Sequence, residues 1–197
     1  MPRSIWLSFL TLVLGCSNAP PACGQPGAAC ALEPTPACFS YPAGPYGIHE
    51  DQTLESFEYA DCDGERVALD QLVSQAELVL VNVGAGWCAP CIEETQTMEA
   101  EIFRRFCGRG LRVVQVLFED RDLEPASSVF CQTWRDRYGL TFPVLRDPLF
   151  TTQRLFEDAA TQTPLNLLID RNGVIVHREV GTAAEGLIEV IDALLPP

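Results

Sequence analysis

The alternation of apolar and polar positions divides the chain into three stretches. Ile5 to Leu14 is apolar apart from Ser8 and Thr11. Ser17 to Glu50 shows no period of any kind. From Gln52 onward the pattern becomes that of a folded body. Phe57–Ala60 and Arg66–Leu69 flank Asp61-Cys62-Asp63-Gly64, which predicts two short strands joined by a tight turn. Leu78-Val79-Leu80-Val81-Asn82-Val83 is an almost unbroken apolar run, as expected of a strand buried on both faces. A helix is predicted from Pro90 to Cys107, since Met98, Ile102, Phe103 and Phe106 fall on one side and Gly108 can end it. Leu111 to Phe118 reads as a second buried strand, and Pro125 to Tyr138 as a helix with Phe130, Trp134 and Tyr138 in one stripe.

Toward the C-terminus, Phe142–Leu145 predicts a short strand and Thr151–Phe156 a short helix. Pro164–Ile169 and Val174–His177 enclose the turn Asp170-Arg171-Asn172-Gly173. A last helix opens on the capping box Thr182-Ala183-Ala184-Glu185 and carries Leu187, Ile188, Ile191, Leu194 and Leu195 to Pro196. Strands and helices alternate before a final hairpin and helix. That order implies an α/β fold with a central mixed β-sheet flanked by helices on both faces.

Composition narrows the function classes. Thirteen basic against 27 acidic residues give a net charge of −14, which argues against a nucleic-acid partner held by clustered positive charge. All the basic residues are Arg, so a Schiff-base lysine and a phosphate-binding loop ending in Lys are excluded. A chain of 197 residues can build a sufficient core without covalent staples, so its nine cysteines call for another explanation.

The N-terminus supplies part of it. Arg3, the apolar run and Gly15-Cys16 have the layout of an export signal, and the run is short for a bilayer span. Val13-Leu14-Gly15-Cys16 resembles a bacterial lipobox, with Val13 where Leu is usual. Residues 1–15 are then expected to be a lipoprotein signal peptide, with Cys16 as the lipidation site and membrane attachment through that lipid. Residues 16–51 read as a tether. Its stretch Ser17–Glu50 holds seven Pro, seven Ala, four Gly and no Arg, too little apolar surface to fold alone. Fully extended at ~3.1 Å per residue it would reach on the order of 100 Å, less if a disulfide closes within it. Residues 52–197 form the expected domain. Export on the periplasmic or cell-surface side of a bacterial membrane places the cysteines where disulfides persist.

Trp87-Cys88-Ala89-Pro90-Cys91 falls between the first buried strand and the first long helix. A thiol at a helix N-terminus faces unpaired backbone N–H groups and the positive end of the helix dipole, which favour thiolate. Cys88 is therefore the expected attacking sulfur and Cys91, one turn later, the resolving one. Pro90 is tolerated in the first turn, where no N–H partner exists.

With that motif in place the chain resembles the thioredoxin superfamily, and within it the exported redoxins of the TlpA and ResA type. Val81-Asn82-Val83-Gly84-Ala85-Gly86-Trp87-Cys88-Ala89-Pro90-Cys91 is similar to their V-N-F-W-A-x-W-C-x-P-C, and Thr163-Pro164-Leu165-Asn166-Leu167-Leu168-Ile169-Asp170 to their T-P-T-x-F-L-I-D. The resemblance spans roughly residues 52 to 195. It implies a thioredoxin-like fold with an N-terminal β-hairpin and an inserted helix-strand element. It also implies thiol-disulfide exchange without a cofactor or metal, on protein thiol or disulfide substrates, with an upstream redox partner and the chain acting as a monomer. Cys88 is then nucleophile, Cys91 resolving thiol, Trp87 the flanking aromatic, and Pro164 a cis-proline that leaves the Thr163 backbone free to pair with a substrate chain.

Two departures stand out. Gly84 replaces a bulky aromatic and should loosen packing beneath the site, and Asn82 stands where thioredoxin has a buried Asp. Glu94 occupies the position of a functional glutamate in ResA-like members. It is either the proton acceptor or, like Glu93, an acid favouring the helix N-terminus.

Cys23, Cys30, Cys38, Cys62, Cys107 and Cys131 remain, and sequence does not choose among their pairings. A Cys107–Cys131 bridge and a link from Cys62 to the tether are the expectations. His49 and His177 are solitary. Two other functions compete: a peroxiredoxin-like thiol peroxidase, and a non-catalytic module on the same fold, either a carrier of copper or zinc on Cys88 and Cys91 or a binding domain. The peroxidase pattern P-x-x-x-[ST]-x-x-C is not met, because Val81 and Ala85 hold the Pro and Ser/Thr positions.

Overall fold

A computed structural model describes residues 30, 32, 39–156, 162–181 and 184–196. Cys16, Cys23, Cys38 and the Thr182-Ala183 start of the capping box lie outside the described residues.

One seven-stranded sheet organises the body. Its strands are β1 (Glu58–Asp61), β2 (Arg66–Ala68), β3 (Leu78–Gly84), β4 (Leu111–Leu117), β5 (Val144–Arg146), β6 (Leu165–Asp170) and β7 (Ile175–Val180). They lie in the order β2-β1-β5-β4-β3-β6-β7. β3 pairs parallel with β4 and β4 with β5, whereas the β1–β2 and β6–β7 hairpins and the β1–β5 and β3–β6 pairs are antiparallel. The sheet is mixed, as the element order predicts.

β3 is buried along its whole length because both faces are covered. Val79, Val81 and Val83 point to one side, against Leu69, Leu72 and Val73 of the short helix α1 (Leu69–Val73), an element the hydrophobic pattern did not mark. Leu78 and Leu80 point to the other. There they meet Met98, Ile102, Phe103 and Phe106 of the long helical run, Trp134 of α4 (Ser128–Tyr138), and Leu187 and Ile191 of α5 (Ala184–Leu194).

The long helical run departs from a regular helix. It consists of α2 (Ala89–Thr97), a π-helical stretch Met98–Phe103, α3 (Arg104–Phe106) and a final 3₁₀ turn to Arg109. The wider turn brings Met98 and Phe103, five apart, to the same buried side, and the Arg104 N–H bonds back to Glu99 O. Gly110, at φ 97°, takes the left-handed conformation that ends the run. α4 begins at Ser128 and not Pro125, because the Ser127 hydroxyl caps it by accepting the Phe130 N–H at 3.1 Å.

Both disulfide expectations are corrected. Cys131, on the inner side of α4, bonds Cys62 in the β1–β2 turn, and Cys107 bonds Cys30. β1 lies beside β5, and both Cys62 Sγ and Cys131 Sγ sit against Val144 O of β5, so sheet order brings the turn to the helix. Arg135 reinforces the contact by donating to Asp63 Oδ2 at 2.6 Å, which holds the Asp63 carboxyl below the usual carboxylate range. The segment read as tether is held to the body well before Gln52. Leu32, Phe39, Tyr41 and Ile48 pack on the core, the Tyr41 hydroxyl donates to Leu54 O at 2.9 Å, and Thr53 bridges Tyr46 and Val174. Burial of the Tyr41 phenol pushes its pKa far above the ordinary tyrosine range.

Candidate active site at the start of helix α2

Parallel strand β3 ends at Gly84 in the middle of the sheet, and the chain turns through Ala85-Gly86-Trp87 into α2. Cys88 is the N-cap, with extended backbone at φ −79° and ψ 107°. It is joined to Cys91, so the site stands in its oxidised form. The Cys91 N–H donates to Cys88 Sγ at 3.1 Å, so a sulfur takes the place usually filled by a Ser or Asp oxygen. After reduction the same N–H and the helix dipole would favour negative charge on Cys88. Exposure does not separate the two cysteines, at 3% for Cys88 and 1% for Cys91. Their distinction rests on the cap geometry. Pro90 occupies the first turn, where its missing N–H costs nothing.

Thr163-Pro164 meets the disulfide from the turn just before β6, and its peptide bond is cis. Thr163 O lies 3.4 Å from Cys88 Sγ and Thr163 Oγ1 3.3 Å from Cys91 Sγ. The Thr163 hydroxyl also lies 3.1 Å from Val83 O, to which it donates. Its lone pairs are thereby left for the Cys91 sulfur, an arrangement suited to a protonated Cys91 thiol once the disulfide opens. Trp87 is 39% exposed, donates from Nε1 to Glu119 Oε2 at 2.7 Å, and meets Phe118 edge to face.

Glu94 lies one turn beyond Cys91 and points inward. It is 4% exposed, whereas Glu93 beside it is exposed, so the two acids are not equivalent. Asn82 Nδ2 donates to Glu94 Oε2 at 3.0 Å and Asn166 Nδ2 to Glu94 Oε1 at 2.9 Å. Asn82 therefore supports a carboxylate where thioredoxin supplies one. Sequence reasoning gave Asn166, Gln115, Thr95 and Trp134 no role at the site. The signal was present in three apolar strands, each with one buried amide: Asn82 in LVLVNVG, Gln115 in LRVVQVL and Asn166 in LNLLID.

Gly84 does not loosen the site. A Cβ there would stand 3.2 Å from Cys91 Cβ and Sγ, so the resolving cysteine itself fills the room left by the missing aromatic. Gly86 is under a harder restraint. A Cβ would lie 2.6 Å from Phe130 Cζ, 2.9 Å from Asp120 C and 3.0 Å from Arg121 N, two of them backbone atoms. Gly86→Ala is expected to lower stability by ~1–3 kcal/mol, an overpacking cost read from the shift in urea midpoint. An unchanged midpoint would mean that the 119–126 loop yields freely.

Among the described residues, no group of three His, Cys, Asp or Glu is placed to hold a metal, and no helix is long and apolar enough to cross a membrane.

Residues 51–178 match the AhpC/TSA family. The thioredoxin-like protein YneN of Bacillus subtilis is 30% identical over 144 residues, covering 73% of this chain and 78% of that protein. The thiol-disulfide oxidoreductase ResA of Halalkalibacterium halodurans is 26% identical over 142 residues, covering 72% and 74%. Among solved structures, a thiol:disulfide interchange protein of the thioredoxin family from Chlorobium tepidum superposes with a TM-score of 0.60 at 18% identity, over 75% of this chain and 99% of that one. That likeness carries the fold, and it agrees with the thioredoxin-like α/β sheet expected from the sequence.

Proposed function

The chain belongs to the AhpC/TSA family, and from that premise we propose that it is a thiol-disulfide oxidoreductase, exported and lipid-anchored through Cys16, that exchanges disulfides with protein substrates through Cys88-Ala89-Pro90-Cys91. The activity rests on the family and on similarity to proteins named a thiol-disulfide oxidoreductase and a thiol:disulfide interchange protein. The observation that carries the site assignment is the Cys91 N–H donated to Cys88 Sγ at the helix start, with Thr163 O beside the same sulfur.

In the reducing direction the Cys88 thiolate attacks one sulfur of a substrate disulfide. A mixed disulfide forms and the substrate's other sulfur leaves as thiolate. Cys91 gives up its proton, with Glu94 the proposed acceptor, and attacks Cys88 Sγ. The substrate departs as a dithiol and the Cys88–Cys91 disulfide is left, two electrons having passed to the substrate. An upstream dithiol partner restores the enzyme. Run in reverse, the same steps oxidise substrate thiols, and the direction follows the reduction potential of the pair against its compartment.

Export is supported by the two further disulfides, Cys30–Cys107 and Cys62–Cys131, since such bonds persist in oxidising compartments. The anchor rests on the lipobox-like Val13-Leu14-Gly15-Cys16. Redox titration of the full chain tests the function: a reversible two-electron couple is expected, lost in Cys88→Ala. A folded protein with no such couple would overturn the proposal, and stoichiometric zinc or copper on the reduced protein would point to a carrier instead. Peroxide turnover is expected to be negligible, because Val81 and Ala85 do not supply the peroxidase pattern.

A further inference from the structure

Behind the disulfide lies a buried chain of hydrogen bonds that starts far from it. Trp134 Nε1 donates to Gln115 Oε1 at 2.8 Å. Gln115 Nε2 donates to Asn82 Oδ1 at 2.9 Å and to Thr95 Oγ1 at 2.8 Å. Asn82 Nδ2 in turn donates to Asn166 Oδ1 at 2.8 Å and to Glu94 Oε2, and Asn166 Nδ2 to Glu94 Oε1. The Thr95 hydroxyl closes a second branch by donating to Cys91 O at 2.7 Å. All three amides are fully buried and Trp134 nearly so.

The strand register assembles this row. Asn82 is the direct partner of Gln115 on β4 and of Asn166 on β6, so three neighbouring strands place one amide each side by side under α2. Two residues along β3 from Asn82, on the same face, Gly84 lies under Cys91.

The direction of every bond follows from one residue. An indole N–H can only donate, so Gln115 must turn its oxygen to Trp134 and its NH₂ toward Asn82. Asn82 must then turn its oxygen to Gln115 and its NH₂ toward Glu94 and Asn166. Asn166, accepting from Asn82, is left with its NH₂ toward Glu94. Reversing any amide would set N–H against N–H or oxygen against oxygen among fully buried groups, leaving each unsatisfied at a penalty. Both carboxylate oxygens thus meet donors aligned by a chain that cannot flip. Burial alone would disfavour the charged carboxylate, and hydrogen bonds donated to it restore it.

We propose that Trp134, Gln115, Asn82 and Asn166 form a one-way amide relay that positions Glu94 and keeps it in the ionised form, ready to take the proton of Cys91. The relay rests on the reading of Glu94 as proton acceptor and adds to it the residues that set its charge state. They are positioning residues, since none touches the reacting sulfurs.

Other titrating groups face this region. Cys88, Cys91 and exposed Glu93 share α2. From β7, Glu179 is the register partner of Asn166, and His177 Nε2 lies 3.6 Å from its carboxylate. From the π-helical stretch, Glu99 is bound to Arg104 and Thr141, and on α4 Arg135 is bound to Asp63 and Arg137 flanks Trp134 in a surface cleft of about 260 Å³. The test therefore identifies Glu94 by its own substitution.

The pH dependence of the Cys88–Cys91 midpoint potential is to be measured on the full chain for the parent, Glu94→Gln and Trp134→Phe. The inflection that Glu94→Gln removes belongs to Glu94. Trp134→Phe frees Gln115 to turn, weakens the donors and is expected to move that inflection up by about one pH unit, a tenfold change in proton affinity. Should Trp134→Phe unfold the protein, the double variant Trp134→Phe/Gln115→Leu replaces both partners by apolar groups, a milder change, and the same upward shift is expected. If Glu94→Gln removes no inflection, the reading of Glu94 as acceptor fails. If it does remove one and the folded relay variant keeps that inflection at the parent pH, the relay alone is overturned.

Discussion

Replacing Cys91 by alanine is expected to turn exchange into capture: substrate protein accumulates as a mixed disulfide on Cys88, stable without reductant and released by dithiothreitol. The expectation follows from the separate positions of the two sulfurs. Cys88 Sγ accepts the backbone N–H at position 91, which alanine also supplies, so activation of the nucleophile survives the substitution. What is lost is the only thiol placed to attack Cys88 from within the same helix turn. Release then depends on an outside thiol, and the mixed disulfide should live at least ~10²-fold longer, since an intramolecular thiol in place acts at an effective concentration far above that of any solute. Alanine keeps the Cβ that faces Gly84 and adds no bulk there, so the strand below need not move. Adduct mass on non-reducing separation is the measurement. Adducts that form equally well on Cys88→Ala would exclude Cys88 as nucleophile.

The sequence made some of this site legible and hid the rest for identifiable reasons. Local signals were enough for Cys88, Cys91 and Pro90, because a C-x-P-C between an apolar strand and an amphipathic helix fixes its own geometry. Residue type alone left Glu94 ambiguous. Only the inward turn of α2 over β3 separates it from Glu93, and that turn is a tertiary fact. Gln115 and Asn166 were further out of reach, since their roles depend on which strands become neighbours, which β3 decides by pairing with both β4 and β6.

The same reasoning explains the fold. Sheet, hairpins and helices were readable from periodicity, but α1 is too short to show a period, and the π-helical stretch appears only as an unusual five-residue spacing of Met98 and Phe103. Disulfide pairing failed because Cys107, at the end of one helix, was matched with Cys131, beside the apolar stripe of another. The actual bonds instead join elements made adjacent by the β1–β5 pairing and by an N-terminal segment that packs on the body.

Removing the Cys62–Cys131 bond should have a large effect on stability. The two cysteines are 69 residues apart in sequence, and both are buried. Closing a loop of that length restricts the unfolded chain by an amount worth about 4 kcal/mol at 25 °C. For a domain whose total stability is typically ~5–15 kcal/mol, that is a large fraction. The double variant Cys62→Ala/Cys131→Ala removes the link without leaving an odd thiol. It adds a small cavity beneath Val144 and leaves, between turn and helix, the Gln132 hydrogen bonds to Cys62 O and Asp63 and the Arg135–Asp63 pair. That pair is exposed and cannot replace the covalent bond. It also weakens in acid: the Asp63 carboxyl is lowered by the hydrogen bond from Arg135, so its contribution is present above the ordinary Asp pKa and lost as pH falls through the lowered value. The variant should therefore show a much lower urea midpoint at neutral pH, with further loss in acid, while the Cys88–Cys91 couple persists in the folded fraction. A stability within ~0.5 kcal/mol of the parent would mean that the bond does not constrain the unfolded chain, and that β1–β5 pairing with the Arg135 and Gln132 hydrogen bonds holds the turn to α4.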